Sequence, residues 1–503
     1  MDVDINGSNG RRSRSQKTPE LVVFSDENFT LFLENIEKAV KETELNVERP
    51  GFLKWLAYDR QQEFNRTKRI PLFRAALTAY GELELKKKLL HLKKMIEAQP
   101  DMPFSYPGAG VFYGTGTDGG RMAYLFPGQG SQYLGMGKKM ASVFPEARRV
   151  FDRLGQRSFH GHFIEDIISP SDSGDRADTK AAFLRLCGSE WANPCISVVG
   201  EAIFSLLKRM GAFPHAVASH SFGDVSAFRA AGIISKDAML QLHRHRGELG
   251  ASCSRATRGC ILVVRETAEK IDKILKARNI HDVWIANYNT ASQIVISGLR
   301  EAIQVCRSIF SKEKIVNQLI PISAAPHCPL AGDVARKFEA FLKKDIYFRG
   351  ADCDVYSYIF GRKVKNDPDL FQRVLRIHIE KPVRFKSQIE NMYADGIRIF
   401  VEVGPSDILT RFVEHILDGK PHIAVNTDSR RADSILTFLN AVAELFKAGK
   451  ILDLGILWEG YEVPCYPNHG VRQPGSFIPE DLKRLQRLEL KLTRIENMRS
   501  MQQ

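Results

Sequence analysis

The sequence predicts an α/β protein: a short parallel sheet, a compact α+β unit inserted into it, and a small α/β module ahead of it. Three observations carry this. From Arg121 to about residue 260, short apolar runs such as MAYLF and HAVASHS alternate with helical patterns, the order expected of βα units on a parallel sheet. Between about 260 and 322, CILVV, VWIAN and QIVISG form strand-like runs around two helical stretches. Before residue 118, helical periodicity precedes a Pro/Gly-rich connector.

Taken in order, residues 1–19 are a basic, polar lead-in with no apolar segment behind the charges, so they predict disorder and not a secretory signal. Ser25 is placed to cap a helix over FTLFLENIEKAV. A second helix is predicted over PGFLKWLAYDRQQ, a strand over KRIPLFRAAL and a charged helix over ELELKKKLLHLKKMIEAQ, with a connector at 100–120. Together 20–118 reads as a separate α/β module. The large unit spans 119–260 and resumes over 323–430, interrupted by the insert at 261–322. A segment at 431–478 follows. The tail, 479–503, carries Leu485, Leu488, Leu492 and Ile495 as one stripe of an amphipathic helix.

Composition narrows the function classes. At 44% hydrophobic and 26% charged over 503 residues, the chain is that of a globular protein able to bury a large core. No apolar run is long enough to span a bilayer, so no membrane partner is expected. The eight cysteines show no zinc spacing; no metal is expected, and the thiols fit a reducing, cytoplasmic setting. The net charge of +13 suits nucleic acid, an anionic membrane, or an acidic protein or phosphorylated ligand; no nucleic-acid motif accompanies it, an acidic carrier and a phosphorylated ligand suffice, and plain solubility accounts for it equally well.

Three motifs carry chemistry. VASHSFGDVSAF reads as an apolar strand, a serine and a helix, the layout of a nucleophile elbow at Ser221. Small residues at Ser219 and Gly223 let strand and helix approach closely, and the Phe222 N–H would face a developing oxyanion. The same pattern also fits a strand–helix turn with a capping serine. FPGQGSQ, at 126–132, places two glycines around Gln129, which either donates to an oxyanion or holds the serine loop; it lacks the spacing of a nucleotide-binding loop. In ISAAPHCPLAGD, His327 precedes a helical run and is the candidate base that a serine hydroxyl needs at neutral pH, although a lone histidine is more often structural.

These motifs, in this order, resemble the malonyl-CoA:acyl-carrier-protein transacylases and the acyltransferase domains of modular polyketide synthases. RHRGELG, IANYNTASQIVISG, KPVRF and FVEVGPSDIL extend the resemblance over about 120–430. It implies a hydrolase-like large domain with a ferredoxin-like insert. Residues 20–118 then look like the linker that precedes the acyltransferase in synthase modules, and 431–478 like the linker that follows it.

The resemblance further implies that Ser221 attacks a thioester, that His327 takes its proton, and that the N–H groups of Gln129 and Phe222 form the oxyanion hole. Arg246 stands where the family pairs a planar guanidinium with the free carboxylate of the acyl unit. His220, Asn193, Asn289, Ala324, Ala325 and Pro326 are expected to line the substrate, and His378 to orient His327. No bound cofactor is implied. The donor would be an acyl-CoA, and the acceptor the phosphopantetheine of an acyl carrier protein, one belonging to a polyketide synthase that lacks its own acyltransferase. Ser219 stands for the family's glycine and Asp224 for its glutamate. The tetrad AAPH is neither the malonyl-type HAFH nor the methylmalonyl-type YASH, so the α-substituent stays open. Two other functions compete: hydrolysis of stalled acyl chains from carrier proteins on the same fold, and a catalytically silent scaffold that docks a synthase.

Overall fold

The computed structural model describes residues 18–462 apart from 67–69, 117–118, 171–174, 258, 321–324 and 451. The amphipathic tail at 479–503 and the lead-in before residue 18 therefore lie outside the described residues.

The N-terminal part is a four-stranded antiparallel sheet in the order β1-β2-β4-β3, made of β1 (Glu20–Asp26), β2 (Phe73–Ala79), β3 (Phe104–Tyr106) and β4 (Val111–Thr115). Helices Phe29–Asn46, Phe52–Asn65 and Glu82–Ala98 pack around it. The first helix is capped by Asn28, whose side-chain oxygen accepts from Leu31 N at 3.1 Å. Ser25, the expected cap, instead lies inside β1, opposite Arg74. A run of apolar residues over Leu21–Phe24 makes a strand of what periodicity had assigned to the approach of a helix. The connector at 100–120 likewise holds two strands, because its turn at 107–110 folds β3 back on β4.

Helix Ser434–Lys447, far from this module in sequence, packs on this same sheet. Its last carbonyls have no intrahelical donors, and Arg74 supplies them. Arg74, only 2% exposed, donates from Nε to the Phe446 carbonyl at 3.1 Å and from Nη2 to the Lys447 carbonyl at 2.9 Å. Gly114 is small enough to let the helix end in; a Cβ there would lie 2.3 Å from the Lys447 carbonyl. Further along, Trp458 Nε1 donates to Gln61 at 2.8 Å, and Leu454 N donates to Asn65 at 3.1 Å. The segment 434–461 is thus tied into the 20–115 unit and does not trail from the core.

The central sheet has six strands in the order β14-β13-β8-β5-β15-β16. Its strands are β5 (Arg121–Phe126), β8 (Ala216–Ser219), β13 (Asp354–Ser357), β14 (Arg362–Lys363), β15 (Ile397–Glu402) and β16 (Ile423–Asn426), and a separate two-stranded hairpin, β6 (Ser158–Phe159) with β7 (His162–Phe163), falls between β5 and β8 in the chain. All pairings are parallel except that of the edge strand β14. The middle strands are predominantly apolar and buried, as a sheet covered on both faces requires. Between β8 and β13 lies a second, antiparallel sheet, β10-β11-β9-β12, built from β9 (Gly259–Val264), β10 (Val283–Tyr288), β11 (Ile294–Leu299) and β12 (Asn317–Leu319). Helices Ala268–Ala277 and Arg300–Lys312 complete it, and it has its own core around Leu262, Ile296 and Phe310.

Among the described residues no helix is long and apolar enough to cross a membrane, and no group of three or more side chains is placed to hold a metal. The six described cysteines are free thiols.

Glu402, at the carboxyl end of β15, is 0% exposed. One oxygen accepts from Thr410 N and Oγ1, both at 2.8 Å, while the other has no partner. Burial pushes its carboxyl up to about 7. Since the folded pKa lies above the unfolded one, its stabilising contribution is complete below about pH 4.5 and is lost as pH rises through about 7. Glu402→Gln keeps an acceptor for Thr410 without the charge. Its stability relative to wild type should therefore rise between pH 4.5 and 7.5 by on the order of 2–3 kcal/mol, read from urea midpoints at each pH.

Candidate active site

The site forms at the carboxyl ends of β5 and β8. The chain leaves β8 at Ser219 and enters helix Gly223–Ala230 within four residues, a turn that forces Ser221 to φ 55°, in the left-handed region. Two glycines make the turn possible. A Cβ on Gly223 would sit 2.0 Å from the Phe126 carbonyl, and one on Gly128 would sit 2.6 Å from the His220 carbonyl and 3.1 Å from Phe222 N. The 126–132 loop therefore touches the elbow backbone to backbone.

His327 reaches the elbow from the other side of the insert. Its Nε2 lies 2.6 Å from Ser221 Oγ, although 106 residues separate the two. It too has a positive φ, 62°. Its Nδ1 faces two carbonyls, that of Lys381 at 2.9 Å and that of His378 at 3.1 Å. Carbonyls only accept, so the proton is on Nδ1, and Nε2 presents its lone pair to the serine O–H. His327 is 3% exposed. Burial, reinforced by the nearby positive charge of Arg246, lowers its pKa to about 3 and keeps the imidazole neutral.

Arg246 comes from helix Lys236–Thr257 and is 0% exposed. None of its guanidinium nitrogens has a hydrogen-bond partner among the described residues. The group lies over the Phe222 ring, with Cζ 3.2 Å from the ring centroid. Burial lowers its pKa to about 9, partly offset by Tyr358 and the carboxylate of Asp224. Asp224 is buried, forms no ion pair, and is itself pushed up to about 7 by burial against the pull of Arg246. A guanidinium without hydrogen bonds in so dry a place is costly unless a ligand supplies the acceptors.

The other expected residues sort unevenly. The Gln129 side chain donates to the Cys187 carbonyl at 2.9 Å, so it braces the loop. The main-chain N–H groups of Gln129 and Phe222 have no acceptor among the described residues and belong to the touching segments, which leaves them free for an oxyanion. His220 meets the insert, with Nε2 2.8 Å from Asn289 Oδ1 and 3.4 Å from Asn287 Nδ2. Asn193 is buried with Oδ1 unpartnered. Ala325 is buried beside His327 and Pro326 half-buried; Ala324 lies outside the described residues.

His378 was expected to orient His327 with its side chain. It does so with its carbonyl, while its imidazole turns away and donates from Nδ1 to the Leu375 carbonyl. Sequence reading missed the Lys381 carbonyl, Asn287 and Tyr358. Asn287 belongs to the same NYN stretch as Asn289, two residues before it near the end of β10. No local pattern marks a carbonyl acceptor.

A family model described as acyl transferase domain matches residues 123–450. The malonyl CoA-acyl carrier protein transacylase of Bacillus subtilis (strain 168) is 30% identical over 315 residues, covering 61% of this chain and 93% of that protein. The polyketide biosynthesis malonyl CoA-acyl carrier protein transacylase BaeC of Bacillus velezensis is 31% identical over 301 residues, 59% of this chain and 96% of that protein. Among solved structures, the acyl transferase domain of ZmaA superposes with a TM-score of 0.73 at 20% identity, over 90% of this chain and 99% of that one, a likeness of fold.

Gly128→Ala should leave the protein folded but displace the elbow, because the new Cβ meets backbone on both sides. Labelling of Ser221 by a serine-directed fluorophosphonate should slow by at least about tenfold, followed by intact mass against time. Labelling at the wild-type rate would mean that the loop and the elbow are not in contact.

Proposed function

The chain belongs to the acyl transferase domain family and is an acyltransferase, and from that footing we propose that it moves a malonyl-type, dicarboxylic acyl unit from coenzyme A to the phosphopantetheine thiol of an acyl carrier protein. The observation that carries the dicarboxylic part is Arg246: a fully buried guanidinium, without a hydrogen-bond partner among the described residues, over the ring of Phe222 next to Ser221 and close enough to act on His327. A carboxylate on the acyl unit would give it two parallel hydrogen bonds.

In this reading Ser221 Oγ attacks the thioester carbonyl carbon as His327 Nε2 takes the serine proton. The Gln129 and Phe222 N–H groups stabilise the oxyanion. Collapse breaks the C–S bond, and the leaving thiolate of coenzyme A receives the proton from the imidazolium. In the second half, His327 takes the proton of the phosphopantetheine thiol as its sulfur attacks the seryl ester carbonyl; collapse breaks the C–Oγ bond, and the imidazolium returns the proton to Ser221 Oγ. The partner is a carrier protein of a polyketide or fatty-acid synthase, met in trans. The transacylase names borne by the Bacillus relatives support this donor and acceptor. We read 119–260 with 323–430 as the large subdomain, 261–322 as a ferredoxin-like small subdomain, and 20–118 with 431–478 as flanking linkers.

Two substitutions test the proposal. Ser221→Ala should abolish the acyl adduct that intact-mass analysis detects after incubation with malonyl-CoA; an adduct that survives on another residue would remove Ser221 from the reaction. Arg246→Ala should weaken malonyl loading by about 2–5 kcal/mol, roughly 30-fold or more, while loading from acetyl-CoA holds level or rises. Unchanged malonyl loading would sink the clamp, and release of free acid in preference to transfer would favour hydrolysis.

A further inference from the structure

Helix Pro368–Ile377 ends just before His378, so the carbonyls of its last turn have no intrahelical donors. Two of them find donors just past the helix: Leu375 accepts from the His378 imidazole and Ile377 from Glu380 N, while beyond the helix the Ile379 carbonyl accepts from His327 N. The His378 carbonyl accepts two donors at once: His327 Nδ1 at 3.1 Å and the hydroxyl of Tyr358 at 3.0 Å. Tyr358 follows β13 directly and is 1% exposed. Its own carbonyl accepts from Arg384 N at 2.9 Å, and its ring stands edge-on to the His327 ring with centroids 5.9 Å apart.

We propose that Tyr358 is a positioning residue for the base: its hydroxyl fixes the His378 carbonyl, and through that carbonyl it holds His327 with Nε2 on Ser221. The inference rests on His327 acting as the base. A peptide carbonyl just past a helix end is free to swing, and a swing would release one of the two acceptors that set the His327 ring. The central sheet holds the phenol still, since Tyr358 continues a strand paired with β8, the strand that carries the elbow. Burial drives the phenol pKa far above its ordinary value, so the hydroxyl keeps its proton and remains a donor. Asp224 lies close enough to act on the same hydroxyl, yet both its oxygens lack hydrogen-bond partners, so the carbonyl is the acceptor used.

The test is Tyr358→Phe in the full chain, which removes one buried oxygen and keeps the ring. Self-acylation is followed by intact mass over a range of malonyl-CoA concentrations. The saturating rate should fall about tenfold, with the half-saturating concentration and the thermal midpoint unchanged. In a His327→Ala background the same substitution should have no further effect on the residual rate, because a residue acting only through His327 is silent once His327 is gone. An unchanged rate overturns the proposal. So does an equal loss in the His327→Ala background, or a lowered thermal midpoint with a raised half-saturating concentration, which would assign Tyr358 to the fold. If His327→Ala alone acylates as fast as wild type, the base itself is misassigned, a result separate from the behaviour of Tyr358.

Discussion

The site depends on one backbone contact: the 126–132 loop lying directly on the Ser221 elbow, with no side chain between them. Gly128 and Gly223 are the two places where a Cβ would break it. Closing that contact holds Ser221 in the left-handed region, where an L-residue is strained. The strain is borne because the parallel pairing of β5 with β8 fixes both strand ends side by side. The same contact sets Gly128, the residue before Gln129, against Ser221 and the Phe222 N–H.

The electrostatics follow from how dry that corner is. Arg246, Asp224, His243, His327, Tyr358 and His378 are all buried around it. Burial and the charge of Arg246 hold the three imidazoles neutral, by moving their pKa values down. A neutral His327 with its proton fixed on Nδ1 can take a proton without first losing one. The same low polarity leaves the guanidinium resting on an aromatic face in place of water, and gives any arriving carboxylate a strong attraction.

Support for the elbow comes from distant parts of the chain. The insert reaches back through Asn287 and Asn289 to His220, the residue before the nucleophile. A short main-chain ladder also joins it to the base side, with Tyr288 N donating to the Val383 carbonyl and Val383 N to that of Ala286. At the other end of the molecule Arg74 clamps the last turn of helix Ser434–Lys447 to the N-terminal sheet. The first and last described segments therefore form one block beside the central sheet, and its edge strand β16 leads into that block.

The sequence by itself determined the elements that repeat with a period and the residues that chemistry marks. The β5 and β8 strands, the long helices, the insert between about 260 and 322, and the candidates Ser221 and His327 were legible, since each is written in neighbouring residues; Arg246 stood out only through the family resemblance. The capping of the first helix was misplaced, because Ser25 and Asn28 carry similar side chains and only pairing with β2 shows that Ser25 is in a strand. The strands in the 100–120 connector were hidden by its prolines and glycines. What only the tertiary structure decided are the contacts between segments far apart in the chain. Carbonyl acceptors for His327, the Tyr358 hydroxyl behind one of them, and Arg74 on a helix end 372 residues away are such contacts. A main-chain carbonyl is the same in every residue, so no sequence pattern records which one will be left without a donor and turned toward the base.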